Sequence, residues 1–224
     1  MFEKVKLSKR QIKEDKFTAF MLSSKKQLED NWQYMAIGVV VVILVVVGVI
    51  YYFNSVKEST NKAAIQLYQA NMQHRQGSND VAILTLTDIL SKYAKTDAAE
   101  EATFLLGKIN LERRNYDEAK LYFDMYLEKY KKEPLHRAAS MNGLGVVLEN
   151  QGKYAEAAAE FEKGISEFTD GPLIGDMHMG AMRNYLLAGQ VDKAKAHLDI
   201  INKDFQGTEV ATSAARLFYE KSQS

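Results

Sequence analysis

Residues 115–123 read "NYDEAKLYF", and 38 positions later residues 153–161 read "KYAEAAAEF". Extending outward at the same shift, "TFLLGKINLERRNYDEAKLYFDMYLEKYKKEP" (103–134) lies over "MNGLGVVLENQGKYAEAAAEFEKGISEFTDGP" (141–172) without a gap. Leu106-Gly107 meets Leu144-Gly145, Tyr116 meets Tyr154, Glu118-Ala119 meets Glu156-Ala157, Phe123 meets Phe161, and Pro134 meets Pro172. An internal repeat of this length is the signature of stacked supersecondary units. Gly107, Gly145, Ala119 and Ala157 recur where two helices must approach closely. Phe123 and Phe161 follow four residues after each Ala, on the same helical face, and are expected to fill the space between units. The two prolines are expected to end one unit and start the next helix, where a missing N–H costs nothing.

Weaker copies flank the pair. Ala70 takes the Gly position and Ala82 and Leu86 the Ala and Phe positions 37 residues upstream; Ala194 and Leu198 take the latter two 37 residues downstream. Residues 208–222, "TEVATSAARLFYEKS", read as a lone amphipathic helix, as the open end of a solenoid requires. Two prolines in 224 residues and no cysteine fit an all-helical chain without disulfides or thiolate chemistry.

A different signal lies near the N-terminus. "YMAIGVVVVILVVVGVIYYF" (34–53) carries no charge and is flanked by Trp32, Tyr34, Tyr51 and Tyr52. As a helix these twenty residues span about 30 Å, the thickness of a bilayer's hydrocarbon core. A cleaved signal peptide would have a shorter charged head and an A-x-A-like site, which "YYFNSVKES" lacks. A permanent anchor is therefore expected. Eight Lys/Arg precede it against Lys57, Lys62 and Arg75 after it, which predicts a cytoplasmic N-terminus and an inner-membrane protein whose C-terminal part is periplasmic. Residues 8–31 read as a basic amphipathic helix with Ile12, Phe17, Phe20, Met21 and Leu28 on one side, suited to lipid or to a cytosolic partner, or else as a tail that only sets topology.

The expected architecture is all-α: a basic head (1–33), a transmembrane helix (34–53), a juncture (54–57), and a solenoid over 58–224. That solenoid comprises hairpins at about 58–94, 97–132, 134–170 and 172–204 and a cap at 207–222. Basic and acidic side chains balance, so net charge offers no argument for nucleic acid. The four histidines (His74, His136, His178, His197) read as scattered over different hairpins, and no catalytic or phosphate-binding motif occurs. In "DMHMGAM" (176–182), Met177, His178, Met179 and Met182 have the softness of copper ligands, which raises a metal- or stress-sensor reading. The competing reading is Met packing, and no metal or other cofactor is expected.

The residues at Leu106, Gly107, Ala119 and Phe123, and at Leu144, Gly145, Ala157 and Phe161, resemble the tetratricopeptide repeat pattern L-G-x2-Y, A-x3-F, P. The period is 37–38 rather than 34, the Trp position is empty, and Asn110 and Leu148 stand where the pattern has Tyr. The longer units are similar to those of envelope proteins such as the Tol–Pal coordinator and the outer-membrane assembly lipoproteins. The layout of head, span and repeats resembles the YfgM-like ancillary subunits of the Sec translocon. The resemblance implies a non-enzymatic scaffold that binds protein partners, translocon subunits or periplasmic chaperones, with no small-molecule substrate. An envelope assembly or division role is the alternative. It also implies a concave groove lined by the first helix of each hairpin, here Asn71, Arg75, Lys108, Glu112, Asn142, Glu149, Met179 and Arg183.

Overall fold

The computed structural model describes residues 18, 20, 21 and 31–222. The cytoplasmic head expected over 1–33 lies almost wholly outside these residues. The described residues contain nine α-helices and no strand: α1 (Trp32–Arg75), α2 (Asn79–Lys92), α3 (Asp97–Glu112), α4 (Tyr116–Lys129), α5 (Pro134–Asn150), α6 (Tyr154–Glu167), α7 (Ile174–Leu187), α8 (Val191–Asp204) and α9 (Glu209–Ser222). Residues 54–57, expected as a juncture, are helical, and the boundary between two compact units falls within α1, between Lys57 and Glu58.

In the first unit, α1 is the one described helix long and apolar enough to cross a membrane. Val39 through Val47 are all exposed. An exposed apolar surface of this extent marks a site that lipid or a partner would cover.

The second unit is a stack of four helical hairpins, α1–α2 (from Glu58), α3–α4, α5–α6 and α7–α8, closed by α9. Each hairpin turns through one residue of positive φ: Gly77 (78°), Arg114 (61°), Gly152 (75°) and Gly189 (72°). These positions recur at the repeat period. Around each, two backbone N–H groups reach back to the last carbonyls of the preceding helix, as in Gly152 N to Glu149 O (2.9 Å) and Lys153 N to Leu148 O (2.9 Å). This pair of bonds satisfies orphan carbonyls at a left-handed C-terminus, where glycine is free of strain and arginine is not.

The recurring glycines hold aromatic rings. A Cβ built on Gly107 would lie 2.6 Å from Phe123 Cδ1, and one on Gly143, in the next hairpin, 2.5 Å from Phe123 Cε2. Phe161 is held in the same way between Gly145 and Gly180, each 2.7 Å from the ring by the same measure. Each ring therefore lies between a glycine of its own hairpin and a glycine of the following one. Sequence reading identified only the first of each pair. Ala119 and Ala157 are fully buried one turn before their rings, and Leu106 and Leu144 are buried too, Leu144 in the cluster of Ala119 and Phe123.

Pro134 is the first residue of α5, as its fixed φ favours. Pro172 is not at a helix start: α7 begins two residues later, after a turn in which Ile174 N bonds Gly171 O (3.3 Å). Arg137 joins hairpins two and three. Its Nη1 donates to Leu127 O and Tyr130 O, both at 3.0 Å, and its Nε to Glu167 Oε1 at 3.2 Å, so one guanidinium caps the end of α4 while pairing with the end of α6.

Candidate functional site

The first helices of successive hairpins, α1, α3, α5 and α7, are linked by polar contacts that cross from one to the next. His74 Nε2 lies 3.5 Å from Glu112 Oε2, His136 Nδ1 lies 3.5 Å from Glu101 Oε2, and the His136 ring stacks on Phe104 with centroids 4.4 Å apart. The strongest link joins α5 and α7. Arg183 donates from Nε and Nη2 to the two oxygens of Glu149, both at 2.6 Å, and Asn184 Nδ2 adds a third bond at 2.9 Å. A bidentate, half-buried Arg–carboxylate pair of this kind fixes orientation as well as contributing energy. Asn184 itself is fully buried, and its Oδ1 is left without a partner.

The eight residues expected to line the groove divide into several groups. Glu149 and Arg183 are brought together and neutralise one another. Lys108 and Glu112 pair along α3 at 3.9 Å, with His74 completing the group. Asn71 turns its amide onto Leu67 O at 3.1 Å, so one of its donors is used locally. Arg75 is exposed and Asn142 half-buried. Met179 does not open onto a groove: it packs against the cluster of Met182, Tyr185, Ala194 and Ile201, because α8 and α9 both close over that side of α7. Arg75 and Asn142 enter none of these contacts. Sequence reading missed His74, Glu101, His136 and Asn184. The signal available was register: Glu112 and Glu149 are 37 residues apart, and His74 precedes Glu112 by 38.

The motif 176–182 is placed in the core. Met177 is fully buried, its sulfur 2.9 Å from where a Cβ on Gly164 would stand. His178 and His197 share the fourth hairpin rather than belonging to different ones, because α8 folds back antiparallel on α7. Their Nδ1 atoms are 2.9 Å apart, so one ring donates to the other. His197 Nε2 lies 3.3 Å from Glu162 Oε1, and Tyr185 donates to Glu162 Oε2 at 2.7 Å. Burial, and then the neighbouring His197, hold His178 below the ordinary imidazole value, with Asp204 opposing. Burial, followed by the hydrogen bond to Glu162, pushes the Tyr185 phenol up to about 12. No group of three or more His, Cys, Asp or Glu among the described residues is arranged to hold a metal ion.

A cleft of about 370 Å³ opens away from these contacts, where hairpins one and two join; Thr96, Glu100, Lys129 and Tyr130 are among its lining residues. The Tyr130 hydroxyl is buried there without a partner.

The Tetratricopeptide repeat-like domain family matches residues 25–171, well over half of the chain. The chain belongs to this family. Among solved structures, MamA AMB-1 is 19% identical, with a TM-score of 0.54 over 67% of this chain and 77% of that one. A Podosopora anserina protein with nearly identical TPR-like repeats is 16% identical, with a TM-score of 0.57 over 73% of this chain and 86% of that one. At such identities the likeness shows the fold alone. No curated protein matches. Members of the tetratricopeptide repeat class are generally non-enzymatic scaffolds for protein–protein interaction, and the stacked hairpins found here have that architecture.

Proposed function

We propose that this chain is a single-span inner-membrane protein that displays its repeat domain in the periplasm and holds a protein partner there. The favoured partner is a Sec translocon subunit or a chaperone receiving its products. The observation that carries the reading is the combination, in one chain, of an uncovered apolar helix and a repeat stack whose first helices leave Arg75 and Asn142 outside the pairings of their neighbours. The excess of Lys and Arg before the span favours a cytoplasmic N-terminus. Coordination of envelope assembly or division is the second reading, favoured by the unit length of 37–38 residues.

In-cell photo-crosslinking from Lys108 and Asn142, with partners identified by mass, tests it. Translocon or chaperone adducts support the first reading, and outer-membrane assembly, Tol–Pal or cell-wall adducts replace it with the second. No adduct from either position refutes the groove. Protease added outside spheroplasts is expected to digest the repeats; digestion of the head instead overturns the topology.

A further inference from the structure

Hairpin four closes on a pair of histidines as well as on apolar side chains. His178 on α7 and His197 on α8 are 6% and 8% exposed, and their Nδ1 atoms meet at 2.9 Å. That distance has room for one hydrogen, so one Nδ1 donates and the other accepts. The groups around the pair decide how many protons it carries. From α6, Glu162 places Oε1 3.3 Å from His197 Nε2, while its Oε2 accepts the Tyr185 hydroxyl at 2.7 Å. Tyr185, whose phenol is pushed up to about 12, keeps its proton throughout and stacks on His197 with centroids 5.8 Å apart. On α8, Asp204 favours a charge on His178, but its carboxylate is exposed and shared with Lys203 at 4.0 Å. Lys193, 4.9 Å from the centre of the Tyr185 ring, adds positive charge on the same side. From α9, only the apolar Val210, Ala211, Ala214, Leu217 and Phe218 join the adjoining cluster.

Two added protons are therefore unequal. The first leaves the shared Nδ1–H···Nδ1 bond intact and sets its charge against Glu162. The second turns both Nδ1 atoms into donors pointing at one another and places two positive charges in a site nearly closed to water, where like charges cost most. We infer that the pair is an acid-released latch: its second protonation parts α8 from α7, frees α8 and α9 together, and uncovers the side of α7 that carries Met179 and Met182. Those methionines now pack in one cluster with Ala194, Leu198 and Ile201 of α8. The release is local. Hairpin four and α9 end the stack, and in a repeat array each unit is held only by its neighbours, so the terminal unit opens at the lowest cost. The chain's other two histidines work in the opposite sense. His74 and His136 each lie 3.5 Å from a glutamate, Glu112 and Glu101, so a proton gained in hairpins one to three meets an opposite charge. Burial and the neighbouring His197 hold His178 below the ordinary imidazole value, which agrees in direction. The latch needs neither the membrane anchor nor a partner, and stands independently of the function proposed above.

Hydrogen–deuterium exchange of the full chain in detergent, corrected for the intrinsic pH dependence of amide exchange, reads the latch segment by segment. Between about pH 7 and 5, exchange over 191–222 should accelerate by roughly twenty- to thirtyfold, the factor by which a free imidazole of ordinary value near 6.5 gains on one kept neutral. Exchange over 97–167 should not follow it. His178→Gln keeps a hydrogen-bonding side chain that cannot titrate, and should abolish the acceleration. Glu162→Gln removes the charge that faces the first proton, so opening should take up closer to two protons than one, seen as a steeper slope of log exchange against pH. A merely structural loss raises exchange equally at every pH and leaves that slope unchanged. Exchange over 191–222 that ignores pH, an equal acceleration over 97–167, or an acceleration that survives in His178→Gln each overturns the proposal. Where His178→Gln lacks the native far-ultraviolet circular dichroism at neutral pH, Glu162→Gln decides alone, and an unchanged slope overturns the latch.

Discussion

Closing the glycine slots around Phe161 tests the central packing device. A Cβ at Gly145 would stand 2.7 Å from Cε1 and Cζ of the ring, where carbon–carbon contact needs about 3.5–4.0 Å. The ring cannot move aside freely, because the position of a Cβ on Gly180 is also 2.7 Å from it. Overpacking of this kind costs about 1–3 kcal/mol, while Ala in place of Gly within a helix returns about 1 kcal/mol. Gly145→Ala or Gly180→Ala alone should therefore destabilise by up to about 2 kcal/mol, with the ring leaning into the remaining gap. Together they leave the ring no place, and the loss approaches the ~3–5 kcal/mol of removing a buried Phe. The double substitution should exceed the sum of the singles by about 1 kcal/mol or more, as expected of residues sharing one neighbour. Urea denaturation of the full chain in detergent, followed by circular dichroism, gives the three values. Gly38→Ala, with nothing within 4 Å and outside the repeat unit, is the control and should leave the midpoint of that unit unchanged. If each single substitution stabilises and the two simply add, helix propensity alone governs these positions and the shared-ring account is refuted.

Other consequences follow from the polar contacts and turns. Arg137→Ala should cost about 2–4 kcal/mol, since the Leu127 and Tyr130 carbonyls at the end of α4 and the Glu167 carboxylate lose their donor together, and Arg137→Lys should not restore it; thermal melting of both variants decides this. Arg114→Gly should hold or raise the melting temperature, because relief of about 1–2 kcal/mol of left-handed strain outweighs the added freedom of the unfolded chain; a fall would show that the arginine is held by something more. The lowered His178 pKa means that the unfolded chain takes up that proton first as pH falls through about 6.5, so its contribution to stability is present above that pH and lost below it. Midpoints measured between pH 7.5 and 5 should fall more steeply for the parent than for His178→Gln, and parallel curves would remove the buried pair from the account.

The helices and their pairing were legible because burial repeats at a fixed interval, and Leu106, Gly107, Ala119 and Phe123 have counterparts at a single shift. Gly143 and Gly180 were not legible. They follow Gly107 and Gly145 by 36 and 35 residues, off the shift of the alignment, and matter only once the next hairpin is in place. The turn position was hidden for another reason: three of its four occupants are glycine, but Arg114 interrupts the series in one of the two best-matched repeats. The His178–His197 contact joins residues 19 apart across an antiparallel turn, a separation that helical spacing within one element does not reveal. Of the eight residues expected to line a groove, the mutual neutralisation of two was not legible, since Glu149 meets Arg183 through stacking geometry and not through sequence proximity.

The placement of Phe123 and Phe161 between consecutive hairpins has a consequence for how the molecule is made. Each ring projects from the second helix of its hairpin and needs a glycine that the ribosome has not yet supplied when that helix is complete. Gly143 is added 20 residues after Phe123, and Gly180 is added 19 after Phe161. At these two joints a growing chain therefore carries a half-wrapped aromatic until the next first helix is added, and α5, which buries Phe123 with Gly143, also supplies Gly145 for Phe161. The packing there is thus completed in the order of synthesis, the earlier hairpin waiting on the first helix of the later one.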